Sequence, residues 1–401
     1  MEQPTIREVA KLAGVAVGTV SNVLNGSATV RDSTRAKVET AVQQLGFRPD
    51  AVARSLNLRR GRRKTVKATV GRPRLSTVGY VSVDYTARVD RFPDSGERTT
   101  SHGIKKSLGG PAANVAVMAA GLGGRYALNC ELVTAVGSDP DSEWAVVELA
   151  NRGVRTITVH PYRGGRLSRC IVLVDATGAR TIVNEPLELD LEELSRYVGS
   201  TGPARERHCL HIEGFQVPNA IGWLDDERTW HLTTSVHATG LPVEWHTVEG
   251  LGLLLEKFNL VFLDLESARG IVDHDEGVDV VVSDLDRAFR RLAPTRRARL
   301  MVVTLGAGGA LIDSLDARPS RIHVDPISVV DTTGAGDAFV GCFLAAWLNG
   351  DDPLAAGRMA TRGGRLAVAQ EGAQGAHITA EMLVDDDLRG FDLRVERLQE
   401  A

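Results

Sequence analysis

The chain has 401 residues, 43% hydrophobic and 24% charged, an ordinary globular composition with room for two or three domains. No stretch of eighteen consecutive apolar residues occurs, which excludes a long membrane helix, and residues 1–14 lack the basic-then-apolar layout of a secretory leader. The net charge of −4 hides a division: residues 1–74 hold 15 Lys+Arg against 5 Asp+Glu (+10), and the remainder holds 32 against 46 (−14), so a basic head fit to meet a polyanion precedes an acidic body.

In chain order, TIREVAKLAG places Ile6, Val9, Ala10 and Ala13 at helical spacing, with Thr5 as N-cap and Gly14 as stop. VAVGTVSNVLNG predicts a second helix, with Val20, Val23 and Leu24 on one face. RDSTRAKVETAVQQLGF predicts a third, capped by Asp32 or Ser33, with Val38, Ala41, Val42 and Leu45 apolar. RPDAVARSLNL can form a short further helix ending near Leu58.

Two short helices joined by the tight turn AGVA make a helix-turn-helix, whose second helix enters the major groove. Val17, Gly18, Ser21 and Asn22 would face base edges. Val17 suits a thymine methyl and Asn22 a purine edge. Thr19, Ser21 and Asn25, together with Thr5 and Thr34, are short polar groups suited to the DNA backbone. These segments, continued by TRAKVETAVQQLGFRPDAVARSL, resemble the DNA-binding headpiece of the lac-repressor family over residues 5–58. That resemblance implies operator DNA as partner, a homodimer, and a hinge helix that inserts Leu56 into the minor groove, where an apolar wedge bends the duplex. Gly18 stands where family members usually carry a larger base-reading side chain. The usual members continue into a periplasmic-binding-protein-like sensor, and this chain does not.

Residues 59–76 are dense in Lys and Arg without apolar period and read as a basic linker. From Thr77 the texture changes. TVGYVSVDY reads as a strand and RCIVLVDATGARTIV as strand, turn, strand; NLVFLDLE and RLMVVTLGAGGALI read as buried strands. PAANVAVMAAGLG, DSEWAVVELANRG and GDAFVGCFLAAWLNG read as helices. The alternation predicts an α/β domain over 77–385, a largely parallel sheet with helices on both faces, followed by a C-terminal tail at 386–401. The four cysteines, Cys130, Cys170, Cys209 and Cys342, form no CxxC pair and are expected as reduced, buried thiols of a cytoplasmic, nucleoid-associated protein.

DTTGAGDAF can form an anion site. Gly334, Ala335 and Gly336 present successive backbone N–H groups where a helix begins, and Asp337 is placed to take a proton from an attacking alcohol. SLGGPAANVAV runs a Gly109-Gly110 turn into a helix with Asn114 on its first turn, where it can face a polyol. GxxxxGK[ST] is absent, so no Walker-type loop holds the phosphate. The histidines at 208, 211, 231, 237 and 246 lack zinc-site spacing and are expected as packed or surface residues.

These motifs, with GYVSVDYTARVDRFPDSGE, AVGSDPDSEWAVVELANRGV and VVTLGAGGAL, resemble the ribokinase-like (PfkB) carbohydrate kinases over about residues 77–380. The resemblance implies transfer of the ATP γ-phosphate, with Mg²⁺, to a sugar or nucleoside hydroxyl. It assigns Asp337 as base and Gly334–Gly336 as anion hole. Asp84, Gly109, Gly110, Asn114 and Glu213 fall to the substrate, and Thr304, Gly306 and Gly309 to the nucleotide. Asp331 and Thr333 match a loop that holds a monovalent cation such as K⁺. A small β lid near 99–107 and 168–183 would cover the sugar. Three departures stand out. Asp264 and Glu266 replace the usual Asn-x-x-Glu that organises Mg²⁺, Pro111 replaces a lysine of ribokinases proper, and PVEWHT replaces an Asp-Pro-Asn-like segment. Two functions follow: a regulator that is also a sugar kinase, or a transcription factor whose kinase fold senses sugar, sugar phosphate or nucleotide without turnover.

Overall fold

The computed structural model describes residues 6–24, 32–45, 66–159, 167–201, 206–225, 227–325, 327–370, 372–374, 377–384 and 393–398. The chain divides into two compact units, Met1–Arg63 and Lys64–Ala401. In the first, helices α1 (Ile6–Ala13), α2 (Val17–Leu24) and α3 (Asp32–Leu45) surround a core of Val9, Ala10, Ala13, Val20, Val23, Val38 and Ala41. Gly14 takes φ 65°, the left-handed conformation that ends α1, and Val15 N–H reaches back to Ala10 O at 3.1 Å. The predicted hinge segment and Leu56 lie outside the described residues.

The second unit is built on a ten-stranded sheet in the order β14-β13-β12-β11-β10-β9-β8-β1-β4-β5. Seven strands run parallel: β1 (Arg74–Val78), β4 (Asn129–Thr134), β5 (Val154–Thr158), β8 (His208–Glu213), β9 (Thr233–His237), β10 (Leu260–Asp264) and β11 (Leu300–Thr304). At one edge β12 (Ala310–Ser314), β13 (Ser320–Ile322) and β14 (Val395–Arg397) continue antiparallel. A second sheet of β3 (Ile104–Gly109), β2 (Ser82–Arg88), β6 (Ser168–Val174) and β7 (Arg180–Asn184) forms the small lid. Two apolar clusters pack the faces of the large sheet. One is built on α4 (Pro111–Leu122), α10 (Ala335–Leu348) and α11 (Pro353–Val368), the other on α7 (Val248–Lys257), α8 (Leu265–Val272) and α9 (Val278–Leu292). Between them in sequence lie α5 (Pro140–Asn151) and α6 (Leu191–Ser200).

Three sequence expectations change. TVGYVSVDY is not one strand: β1 ends at Val78 and β2 begins at Ser82 in the other sheet, because Gly79 at φ 144° turns the chain over the Glu213 carboxylate, where a Cβ would collide. β2 thereby lies in the lid between β3 and β6, outside the lid expected at 99–107 and 168–183. The linker reading of 59–76 ends too late, since Leu75 is buried in β1 and Asn129 N–H donates to Pro73 O at 2.9 Å. The tail at 386–401 contains β14, whose pairing with β13 satisfies backbone groups at the sheet edge.

α10 lies against α4 at Gly341, where a Cβ would stand 2.8 Å from Val115 O and 2.9 Å from Met118 Cβ. Gly341→Val is expected to lower stability by about 1–3 kcal/mol through overpacking, read as a lower denaturation midpoint of the full chain in urea.

Candidate active site

The parallel strands end together. Glu213, His237, Asp264 and Thr304 close β8, β9, β10 and β11, the edge of an open α/β sheet where ligands bind. A cavity of about 700 Å³ lies between the lid and the turn that opens α10; none of these four strand-end residues lines it. Asp84, Gly110, Asn114, Asp331, Thr333, Gly334, Asp337 and Gln374 all line it, so residues nearly 300 positions apart meet in one place.

Asp337 sits in the first turn of α10, 5% exposed. Gly334 caps that helix at φ 73°, and its missing Cβ leaves room for Ala373, which one would approach to 2.7 Å. The first turn of such a helix leaves backbone N–H groups without intrahelical partners, and its dipole favours negative charge. Asn114 comes to the carboxylate from α4: its Nδ2 donates to Asp337 Oδ2 at 2.8 Å, while its Oδ1 accepts from Gln374 Nε2 at 2.8 Å. Burial raises the Asp337 carboxyl to about 6 even though the Asn114 hydrogen bond opposes it.

Asp84 lines the cavity from β2. Ser82 Oγ donates to its Oδ1 at 2.6 Å, and burial raises its carboxyl despite that bond. Gly109 has no room for a side chain because the Asp84 carboxylate fills the space, and Gly110, at φ 100°, passes against Tyr80 O. Both glycines therefore serve close packing, and only Gly110 lines the cavity.

Three groups of expected site residues have partners of their own. Glu213 does not line the cavity; it accepts from Tyr80 N–H at 2.7 Å and Ala112 N–H at 3.0 Å, fixing the turn after β1 and the start of α4. Its burial raises the carboxyl to about 8 against those two hydrogen bonds. Asp264 is spent as the N-cap of α8, its Oδ1 accepting from Ser267 N–H at 2.7 Å, while Glu266 lies exposed beside a separate cavity with Arg269 and His274. Asp331 is paired with the lid residue Arg180 and also accepts from Thr333 N–H at 2.7 Å and Gly372 N–H at 2.9 Å. Burial pushes its carboxyl up, but these donors outweigh it and hold it below the usual range. Its Oδ1 thus accepts from Arg180 and Thr333 and its Oδ2 from Gly372, and among the described residues no cluster of three or more His, Cys, Asp or Glu could hold a metal.

Of the residues expected at the nucleotide, Thr304 ends β11 and donates to Leu263 O at 3.4 Å. Gly306 and Gly309 turn the chain at φ 56° and 89°, and Gly309 passes against Ile322 O where no Cβ fits. Beyond the neighbouring residues, nothing lies within 4 Å of a Cβ built at Gly306 or Gly336, and both glycines are exposed. In the head, Val17 is exposed at the start of α2, and Thr19 and Thr34 are half-buried. Gly18, Ser21 and Asn22 lie on α2; Thr5 and Asn25 are outside the described residues.

Residues 72–380 match the profile of the pfkB family carbohydrate kinases. The chain belongs to the pfkB family. Residues 5–50 match a second profile, bacterial regulatory proteins of the lacI family, so a pfkB domain is fused to a lacI-type segment. An ATP-dependent ribose-1-phosphate kinase of Halopiger xanaduensis is 27% identical over 326 residues, covering 76% of this chain and 94% of that protein. Catabolite control protein A of Priestia megaterium is 42% identical over 79 residues, 20% of this chain and 23% of that protein. Among solved structures, ribokinase from Thermotoga maritima superposes with a TM-score of 0.62 at 20% identity, covering 77% of this chain and 97% of that one, a likeness of fold. The described helices include none long and apolar enough to cross a membrane, and the four cysteines are free and buried.

Glu213→Ala would leave the Tyr80 and Ala112 N–H groups unpaired, an expected loss of about 2–4 kcal/mol in stability. Chemical denaturation of the full chain checks this; a pure substrate contact would leave the midpoint unchanged.

Proposed function

We propose that this protein is a sugar-responsive transcriptional regulator whose body is an ATP-dependent kinase of a sugar or nucleoside hydroxyl. The observation that carries the kinase reading is Asp337: a buried carboxylate, raised to about 6, held by Asn114 in the first turn of the helix that Gly334 caps. The alcohol would lie between Asp84 and Asp337. As its oxygen attacks the γ-phosphorus, Asp337 takes the hydroxyl proton, the new P–O bond forms, and the bond to the β-phosphate oxygen breaks, releasing ADP. Backbone N–H groups of the Gly334–Gly336 turn would stabilise the charge on the moving phosphoryl group. ATP, carrying Mg²⁺ on its phosphates, is expected along Thr304, Gly306 and Gly309. The sugar-phosphate, sugar and nucleoside kinases among the relatives set the acceptor classes to try.

The basic head supports operator binding through α2, with Val17 free to reach a base edge. Ligand closure of the lid that changed the spacing of two heads would couple sugar to DNA, and by linkage DNA would change sugar affinity by the same factor. One observation favours the second reading, a sensor without turnover: Asp264 and Asp331, the acids nearest the metal-organising positions, are already engaged.

Given Mg-ATP and a panel of pentoses, hexoses, nucleosides and ribose-1-phosphate, the protein is expected to release ADP with at least one acceptor. Asp337→Asn is expected to lose about 10²–10⁴-fold in turnover. No activity above that variant would leave the sensor reading. Because the base must be ionised, turnover should fall as pH drops through about 6. DNA from the gene's own upstream region should bind with affinity that drops steeply with salt; a flat response would sink the operator reading.

A further inference from the structure

Behind Asp337 lies a line of buried polar groups that the reaction above does not use. His237, 3% exposed, holds Nε2 at 3.6 Å from Asp337 Oδ1, and that nitrogen has no hydrogen-bond partner among the described residues. Its other nitrogen, Nδ1, lies 2.7 Å from His211 Nε2, and His211 Nδ1 lies 2.7 Å from Ser235 Oγ. Ser235 Oγ is in turn 3.3 Å from Cys209 Sγ. The two imidazole planes differ by 6°. These groups alternate between β8 and β9, with the chain ending at the carboxylate.

We propose that His237 is a positioning residue for Asp337, presenting an Nε2–H to Oδ1 in a tautomer fixed from behind by His211 and Ser235. This rests on Asp337 being the base. Proton counting allows two arrangements for neutral rings. In one, Ser235 Oγ–H donates to His211 Nδ1, His211 Nε2–H donates to His237 Nδ1, and His237 carries its proton on Nε2, facing Oδ1. In the other every bond reverses, and a bare Nε2 lone pair meets the carboxylate. An ionised Asp337 selects the first. Burial, with the neighbouring His237, holds His211 well below its ordinary value, and burial holds His237 at about 4, so both rings are neutral near pH 7.

The groups facing this pair come from three elements and the loop at Gln374. Asn114 on α4 donates to Oδ2, backed by Gln374; Glu213 on β8 adds repulsion when charged; Asp264 on β10 acts on His237. Asn114 and His237 thus approach the two carboxylate oxygens separately, leaving the remaining lone pairs for the substrate hydroxyl. The 3.6 Å separation exceeds a formed hydrogen bond, and catalytic hydrogen bonds tighten when substrate binds.

The test is a pH–turnover profile of the full protein. Wild type should show its acid limb near 6. His237→Phe removes the donor and should move that limb upward by about one unit, costing more turnover at pH 6 than at pH 8. His237→Gln, whose amide nitrogen reaches the same place, should keep the limb. Ser235→Ala, which retains both rings, should move it in the same direction by less. A limb unmoved in both His237→Phe and Ser235→Ala overturns the proposal, and if His237→Phe does not fold, Ser235→Ala alone decides. Long-range ¹⁵N–¹H imidazole spectra, assigned with the His237→Gln variant, read the tautomer without any turnover. A neutral His237 protonated on Nε2 at pH 7 supports the proposal; protonation on Nδ1, or a charged ring, overturns it. A protein with no kinase activity but the expected tautomer would therefore count against the base reading and not against this geometry.

Discussion

The close approach of α4 and α10 is the constraint on which the site depends. With no side chain at Gly341, α10 lies against the Val115 carbonyl of α4, and that proximity delivers Asn114 to Asp337. α10 is almost wholly buried, with Phe343 set edge-on to Phe262 of β10 at 5.2 Å. A helix gripped on all sides holds its first turn still, and an anion site made of backbone N–H groups works only if it is already in place when charge develops. The core beneath the site is therefore part of its chemistry.

Burial sets the electrostatics. A carboxylate taken out of water becomes a stronger base, and neighbouring donors decide how far it moves. Asp337, with one side-chain hydrogen bond, is raised to about 6; Glu213, with two backbone donors but deeper enclosure and a carboxylate neighbour, is raised to about 8. Burial pushes Asp331 up, but Thr333 and Gly372 donors, with the Arg180 charge, outweigh it and hold it low. Three acids within one region thus acquire three characters. Of these three, Asp337 combines a raised carboxyl with a place on the cavity wall at the helix turn, which supports the proton-accepting role proposed for it. The pairing of Asp331 with Arg180 also ties the lid strand β7 to the loop that precedes α10.

Much of this was legible in the chain. DTTGAGDAF marked a glycine turn opening a helix with an aspartate in its first turn, and SLGGPAAN a close glycine approach followed by a polar side chain, and the structure has both turns. The three head helices were readable from Val9, Val20 and Val38 at helical spacing, and those positions form the observed core. The lid was half visible: β6 and β7 follow from a strand-turn-strand pattern, but β2 was hidden inside an apolar run that continues from β1 without a break in periodicity. Only Gly79, packed under Glu213, divides it. His237 carried no local signal, since one histidine at the end of TTSVH is indistinguishable from a packed one until the strand beside it supplies a partner.

By itself the sequence determined the element types, the basic head on an acidic body, and which short motifs could hold a phosphate or a DNA backbone. Those properties are local: periodicity, caps, glycine freedom and charge depend on residues within a few turns of each other. The tertiary structure decided which acids were free to act. Asp264 became a helix cap, Asp331 an arginine partner, Glu213 a backbone anchor and Asp337 the buried carboxylate of the cavity wall. A carboxylate's role is set by the donors and the water around it, and those come from strands and helices far away in the chain.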